Sequence, residues 1–209
     1  MEDIEYMKYI IIAIVLFILF EFLAPKNTPI TPLSSSTTIL AFGDSLTYGY
    51  NAKPEESYPS VLSHLSGFKV INAGVPAESS QDGVRRLPKL LKDKSIKLMI
   101  LFFGGNDIMQ RLSIKQLKRN LKIMIHMAKE KQIQILLISV PNLSLFGLSP
   151  LELYEEIAEE ENVPLLRGML ADILEHPSLK SDQIHPNALG YKIMGEKIYE
   201  KLKVEGFIN

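Results

Sequence analysis

Short continuous apolar runs alternate along this chain with stretches whose apolar residues recur every three or four positions. Runs at Thr38 to Phe42, Lys69 to Asn72, Lys97 to Phe103, Ile133 to Val140 and Val163 to Leu166 have the length and composition of strands. Between them the spacing predicts helices. One starts near Tyr58 and Pro59, one spans about Gly83 to Leu91, and one runs from Ser113 with Ile114, Leu117, Leu121, Met124, Ile125 and Ala128 along a single stripe. Ser149, Pro150 and Glu152 offer cap, first-turn proline and capping-box acid for a fourth helix. Its inner side would carry Leu151, Tyr154, Ile157 and Ala158, and its outer side Glu155, Glu156, Glu159, Glu160 and Glu161. A last helix is expected from about Asn187 to Leu202. Five strands separated by helices imply an α/β fold with an open, mostly parallel sheet covered on both faces, because parallel neighbours need crossover connections and those are right-handed. Ligand sites in such sheets lie beyond the carboxyl ends of the strands. Catalytic side chains should therefore follow directly after strands.

Ahead of the first strand the pattern changes twice. Tyr9 to Phe20, YIIIAIVLFILF, is an unbroken apolar run of the length of a signal-peptide core. With Tyr6 to Lys8 and Phe22 to Ala24 it reaches roughly 28 Å as a helix at ~1.5 Å per residue, close to a bilayer core. Glu2, Asp3, Glu5 and the Ala24-Pro25 step fit a cleaved signal poorly. An uncleaved membrane anchor is therefore preferred over residues 1–24, with a cleaved signal peptide and, last, a buried structural helix as the alternatives. Pro25 to Thr38, PKNTPITPLSSSTT, has nothing periodic to bury and reads as an extended tether over 25–37, ahead of a domain at 38–209.

Composition narrows the field. A chain of 209 residues, 46% hydrophobic, suits one globular domain with a true core plus that short appendage. Its 23 Lys and Arg against 24 Asp and Glu leave no overall basic surplus, which argues against nucleic acid as a partner. The absence of cysteine excludes disulfides, Cys-based zinc sites and thiol nucleophiles.

Three segments carry chemistry. Gly43-Asp44-Ser45-Leu46 follows the first strand and sets a serine hydroxyl on a strand-to-helix turn. A hydroxyl needs a base to take its proton as it attacks a carbonyl. The best base is remote: Asp182-Gln183-Ile184-His185 puts a carboxylate three residues before an imidazole, able to fold back on it, fix its tautomer and stabilise the imidazolium. Gly104-Gly105-Asn106-Asp107 follows the third strand, where the glycines admit close backbone approach and Asn106 can donate to the oxyanion of a tetrahedral intermediate. Taken singly, each has a plainer reading as an ordinary turn, a loop hydrogen bond, half a metal site or an Asx turn.

Together and in this order the motifs resemble the SGNH, or GDSL, hydrolases, over the whole stretch from about Thr38 to Leu202. GDSLTYGY, NAGVPAESSQDGVRRLP, GGND and DQIHPNALGY are similar to the blocks of its bacterial arylesterase branch, whose members also act as thioesterase and lysophospholipase. The resemblance implies a three-layer flavodoxin-like fold and a catalytic triad of Ser45, His185 and Asp182, with no metal and no cofactor. It also implies an oxyanion hole built from the Ser45 N–H, the Asn106 side chain and one further backbone N–H. The glycine that supplies this last donor aligns with Ala77, not with Gly74. An alanine there is expected to serve with negative φ and a slightly tighter hole, whereas positive φ would strain it and activity should suffer.

The resulting expectation is a serine esterase for lipid-like acyl esters or thioesters, a monomer held at a membrane by its N-terminal helix. The expected location is the periplasmic face of the inner membrane, or the periplasm or medium after signal cleavage. A carbohydrate acetylesterase or acetyl transferase of the same fold, and a tethered non-catalytic binding module, are the alternatives. Leu145, Phe146 and Leu148, after the fourth strand, are candidate acyl-chain contacts. His64 and His126 are expected on the surface and His176 in a loop without ligand partners. Asp44 and Asp107 should brace their loops. Arg85 and Arg86 read as a solvated helix face, or alternatively as contacts to an anionic headgroup.

Overall fold

The computed structural model describes residues 6–15, 30–144, 147–149 and 151–208. Residues 6–15 form helix α1, every residue of it exposed. The remainder of the expected anchor lies outside the described residues, among which no helix is long and apolar enough to cross a membrane.

Five strands make one parallel sheet: β1 (Thr38–Gly43), β2 (Lys69–Gly74), β3 (Ile96–Phe102), β4 (Gln134–Ile138) and, after a separate hairpin, β7 (Leu165–Leu166). Their order is β2-β1-β3-β4-β7. β1 and β3 lie inside the sheet, and their runs TILAFG and IKLMILF are buried at all but Lys97, as strands covered on both faces must be. The edge strand β2 is correspondingly half exposed. The longer helices are α3 (Tyr58–Ser66), α4 (Ser80–Leu90), α6 (Ile114–Lys129), α7 (Leu153–Glu161) and α9 (Ala188–Val204). Helices α3 and α9 pack together, as do α4, α6 and α7, giving the helical layers that flank the sheet. The expected α/β architecture is present, with the five strands where the apolar runs placed them.

Several details depart from the sequence reading. Residues 30–37, assigned to the tether, dock on the domain. Ile30 and Leu33 pack against the core, the Leu33 N–H donates to the Phe207 carbonyl at 2.7 Å, and Thr31 exchanges two hydrogen bonds of 2.8 Å with the Gln134 side chain. The fourth long helix does not begin on a Ser149 cap. Ser149 belongs to a hairpin of β5 (Asn142–Ser144) and β6 (Gly147–Ser149), and α7 starts after Glu152 with no side-chain cap, while Pro150 lies outside the described residues. Glu161 is not on the outer side of α7. It is 7% exposed and meets Lys122, Lys129 and His126 of α6. Helix α4 starts at Ser80, three residues earlier than the apolar pattern suggested, because Ser79 and Asp82 form a reciprocal capping box. Two short helices, α5 (Gly105–Met109) and α8 (Met169–Leu174), and the single turn α2 (Ser45–Tyr48) complete the domain.

Candidate active site

The carboxyl ends of β1, β2 and β3 carry the candidate residues, as the topology requires. Ser45 is the first residue of α2, immediately after β1. Asp44 caps that turn, its Oδ1 accepting from the Leu46 N–H at 3.0 Å. Gly74, at the end of β2, is needed for packing rather than as a donor. A Cβ there would stand 2.0 Å from the Tyr48 nitrogen, so the residue must be glycine for β2 to lie against α2.

His185 comes from the loop before α9, 140 residues away, and its Nε2 lies 3.0 Å from Ser45 Oγ. Its Nδ1 lies 2.8 Å from Asp182 Oδ2. Asp182 Oδ1 accepts from the backbone N–H groups of Ile184 and His185 at 2.9 and 2.8 Å. These bonds to the charged form, with the neighbouring imidazole, outweigh partial burial and hold the Asp182 carboxyl below its usual range. With an ionised acceptor on Nδ1, the neutral ring carries its proton there and presents an unprotonated Nε2 to the serine. The structure thus brings Ser45, His185 and Asp182 into one hydrogen-bonded line.

The oxyanion side is arranged differently. Asn106, at the start of α5, is buried and donates through Nδ2 to the Glu78 carbonyl at 2.9 Å and to Asp44 Oδ2 at 3.3 Å. Asp44 itself is 2% exposed, and burial is the main cause that raises its carboxyl to about 7, opposed by the Leu46 N–H and reinforced by nearby Asp107. Asp107 braces the β3–α5 turn, as expected, by accepting from the Ser80 N–H at 2.8 Å and the Ser80 hydroxyl at 2.6 Å. Gly104, at φ 131, leaves room for the Tyr154 hydroxyl, which donates to the Phe103 carbonyl at 2.7 Å.

Ala77 is exposed and has φ 64, in the left-handed region, so the expectation of negative φ is corrected. An L residue with a Cβ pays about 1 kcal/mol or more for that conformation. The next residue, Glu78, is held by Arg86. Arg86 is no solvated helix residue: its Nε donates to both Glu78 carboxylate oxygens at 3.0 Å, and Nη2 lies 2.5 Å from Oε2. Nη1 donates to the Ala73 carbonyl at 3.0 Å, Nη2 to the Gly43 carbonyl at 3.4 Å, and the guanidinium lies 4.6 Å over the Phe42 ring. One side chain therefore ties the ends of β1 and β2 to the residue beside Ala77. Arg85, by contrast, projects into solvent beside Asp82.

A small cleft joins Ser45, Asn106 and His185 to an apolar wall of Leu46, Ile108, Met109, Val140, Leu170 and Leu174. Of the candidate acyl contacts, Leu145 and Phe146 lie outside the described residues. Leu148 packs on the core and is not among the residues lining the cleft. Sequence reasoning missed the wall because α5 and α8, which supply most of it, are too short to show a helical period. His64 and His126 are exposed as expected, His126 paired with Glu161 at 2.8 Å, and the His176 Nδ1 lies against the Asp172 carbonyl at 2.7 Å.

A serine, an imidazole and a carboxylate thus stand in line at the carboxyl edge of a parallel α/β sheet. The chain belongs to the GDSL-like lipase/acylhydrolase family, whose model matches residues 41–193, and is thereby a carboxylic ester hydrolase. It is 29% identical over 161 residues to the thioesterase 1/protease 1/lysophospholipase L1 of Escherichia coli K12, covering 74% of this chain and 77% of that one. It is 26% identical over 178 residues to an arylesterase of Vibrio mimicus, covering 80% and 89%. Among solved structures, the psychrotrophic esterase EstA of Pseudoalteromonas, inhibited by monoethylphosphonate, shares the fold with a TM-score of 0.73 at 23% identity, over 80% of this chain and 97% of that one.

Proposed function

We propose that the chain hydrolyses lipid-like acyl esters or thioesters through an acyl-enzyme on Ser45. The observation that carries this reading is the 3.0 Å contact of Ser45 Oγ with His185 Nε2, backed by the 2.8 Å contact of His185 Nδ1 with Asp182. His185 takes the hydroxyl proton as Ser45 Oγ bonds to the acyl carbon, and Asp182 stabilises the imidazolium. The negative carbonyl oxygen is received by the N–H groups of Ser45 and Ala77 and by the Asn106 amide. Neither of the two backbone N–H groups donates to a backbone carbonyl among the described residues, which leaves both available. Collapse of this intermediate breaks the acyl–oxygen or acyl–sulfur bond, and the imidazolium returns its proton to the leaving group. Water then repeats both steps on the acyl-enzyme, with His185 again as base.

The apolar wall favours hydrocarbon acyl groups, and the relatives named thioesterase, lysophospholipase and arylesterase point to the same substrate range. The apolar run of residues 9–20 supports a second element of the proposal, that the N-terminal segment holds the enzyme at a membrane, and the resemblance to an exported branch of the family favours the periplasmic side. Rates on nitrophenyl esters of graded acyl length, measured for the parent and for Ser45→Ala, test the chemistry. Turnover is expected in the parent and none above background in the variant; equal rates would refute it. Protease accessibility of the domain in spheroplasts tests the location, with protection counting against it.

A further inference from the structure

Asn51 belongs to none of the motifs that point to catalysis, yet it reaches the carboxylate at the far end of the hydrogen-bonded line. The chain leaves α2 through two left-handed residues, Gly49 at φ 89 and Asn51 at φ 64. This turn swings Tyr50 and Asn51 away from the sheet and over the loop that carries Asp182 and His185. The Tyr50 ring lies 4.7 Å from the His185 ring at 40°, and the Tyr50 carbonyl accepts from the Tyr191 hydroxyl at 3.0 Å. Asn51 Nδ2 donates to Asp182 Oδ2 at 2.9 Å and to Ser181 Oγ at 3.2 Å.

The accounting at Asp182 shows what this bond adds. Oδ1 is held by two N–H groups of its own loop, whereas Oδ2 receives His185 and Asn51. The Asp182 side chain is 40% exposed, so without Asn51 a mobile water would take that place. A fixed amide orients the carboxylate without reorganising when the imidazolium forms, which is where preorganised donors gain their effect. Asn51 also sits six residues after Ser45 on the same turn, so it couples the nucleophile's segment directly to the loop of the base. Asparagine suits the position twice over: it tolerates the left-handed backbone, and its amide can only donate to a carboxylate.

We propose that Asn51 is a positioning residue that keeps Asp182, and through it the His185 imidazole, in register with the Ser45 hydroxyl. The proposal rests on the reading of Ser45, His185 and Asp182 as the reacting set. The charged and titratable groups facing that set are few. Tyr50 and Asn51 lie on one side, Asp44 lies behind Ser45, and Tyr191 comes from α9 with its phenol raised well above its ordinary range by burial and therefore neutral.

Two variants of the full chain test this with a soluble nitrophenyl ester. Asn51→Gly removes the amide while fitting φ 64, so the backbone is not strained. It is expected to lower kcat about tenfold, the scale of a hydrogen bond to a charged group, with KM within about twofold and the melting temperature within about 3 °C. Asn51→Asp keeps the shape and sets a second carboxylate beside Asp182. Its added negative charge stabilises the imidazolium, so the acid limb of kcat/KM should move to higher pH by about half a unit or more. A purely structural role would show instead as a fall in the melting temperature of Asn51→Gly, or as kcat and KM moving together. An unchanged kcat in Asn51→Gly, or an unmoved acid limb in Asn51→Asp, overturns the proposal. Ser45→Ala separates the two readings: residual turnover there refutes the catalytic assignment itself, whereas its loss beside a normal Asn51→Gly refutes only the role of Asn51.

Discussion

The two halves of the site are prepared in opposite ways. On the base side, Ser45, His185 and Asp182 already make the hydrogen bonds that proton transfer uses, at 3.0 and 2.8 Å. On the oxyanion side, both protons of the Asn106 amide are given to internal acceptors, Glu78 O and Asp44 Oδ2, and Ala77 is kept in a left-handed conformation that an alanine resists. The base is assembled by direct contact among the reacting groups. The proposed oxyanion donors are held by neighbours, Asp44 at the cleft and Glu78 with its partner Arg86 outside the cleft lining. A developing oxyanion must therefore compete for Asn106, and its weaker competitor is the long 3.3 Å bond to Asp44.

Removing a reacting group should break this comparison most severely. His185→Ala is expected to cut kcat by about 10⁴-fold or more, because the hydroxyl loses its proton acceptor, as steady-state kinetics would show. Asn106→Ala should cost about 10² to 10³ in kcat with little change in KM, since its bond to the oxyanion exists only in the transition state. A rise in KM with kcat unchanged would place Asn106 in ground-state binding instead.

Asp44 stands between the two halves, and its titration is visible in stability. Its carboxyl is raised from 3.8 to about 7, so the folded state binds more protons than the unfolded one between those values. Stability from this group is therefore fully present below about pH 4 and is lost as pH rises from there through 7, by on the order of 4 kcal/mol. Asp182, Asp82 and Glu161 have the opposite sign, their lowered carboxyls losing stability as pH falls through the acid range. Urea unfolding between pH 5 and 8 should show the decline in the parent and a flatter profile in Asp44→Asn.

Arg86→Met loosens the oxyanion side without touching the base. It leaves Glu78 half-buried and unpaired, for an expected loss of about 2 kcal/mol in urea unfolding. A fall of about tenfold in kcat should accompany it, while the fluorescence or near-UV signature of the folded core persists. The smallest effect is expected for Ala77→Gly. It relieves the positive φ and should add about 1 kcal/mol of stability with kcat unchanged within about twofold.

The same contrast explains what could be read from the residues alone. The strands were legible because β1, β3 and β4 are short apolar runs flanked by turns. Ser45, Asn106, Asp182 and His185 were legible because each is a chemically specific residue in a turn after a strand or before a helix. The supports were not. Arg85 and Arg86 are neighbours of identical type on α4, yet 70% of one side chain and 24% of the other is exposed, a difference set by Glu78 and the strand ends. The backbone of Ala77 leaves no trace in its side chain. The docking of residues 30–37 depends on Gln134 and Phe207, more than a hundred positions away, and two isolated apolar residues make no periodic pattern. Asn51 could have been suspected only from its place two residues after a glycine that ends a helical turn.

The central claim is that Ser45 is the group that becomes covalently acylated. A fluorophosphonate reacts with a serine only where a base and oxyanion donors surround it, so intact mass followed by peptide mapping reads the claim directly. One adduct per chain is predicted, on the peptide containing Ser45, and none in His185→Ala over the same period. An adduct on any other residue, or undiminished labelling of Ser45→Ala, would contradict the account.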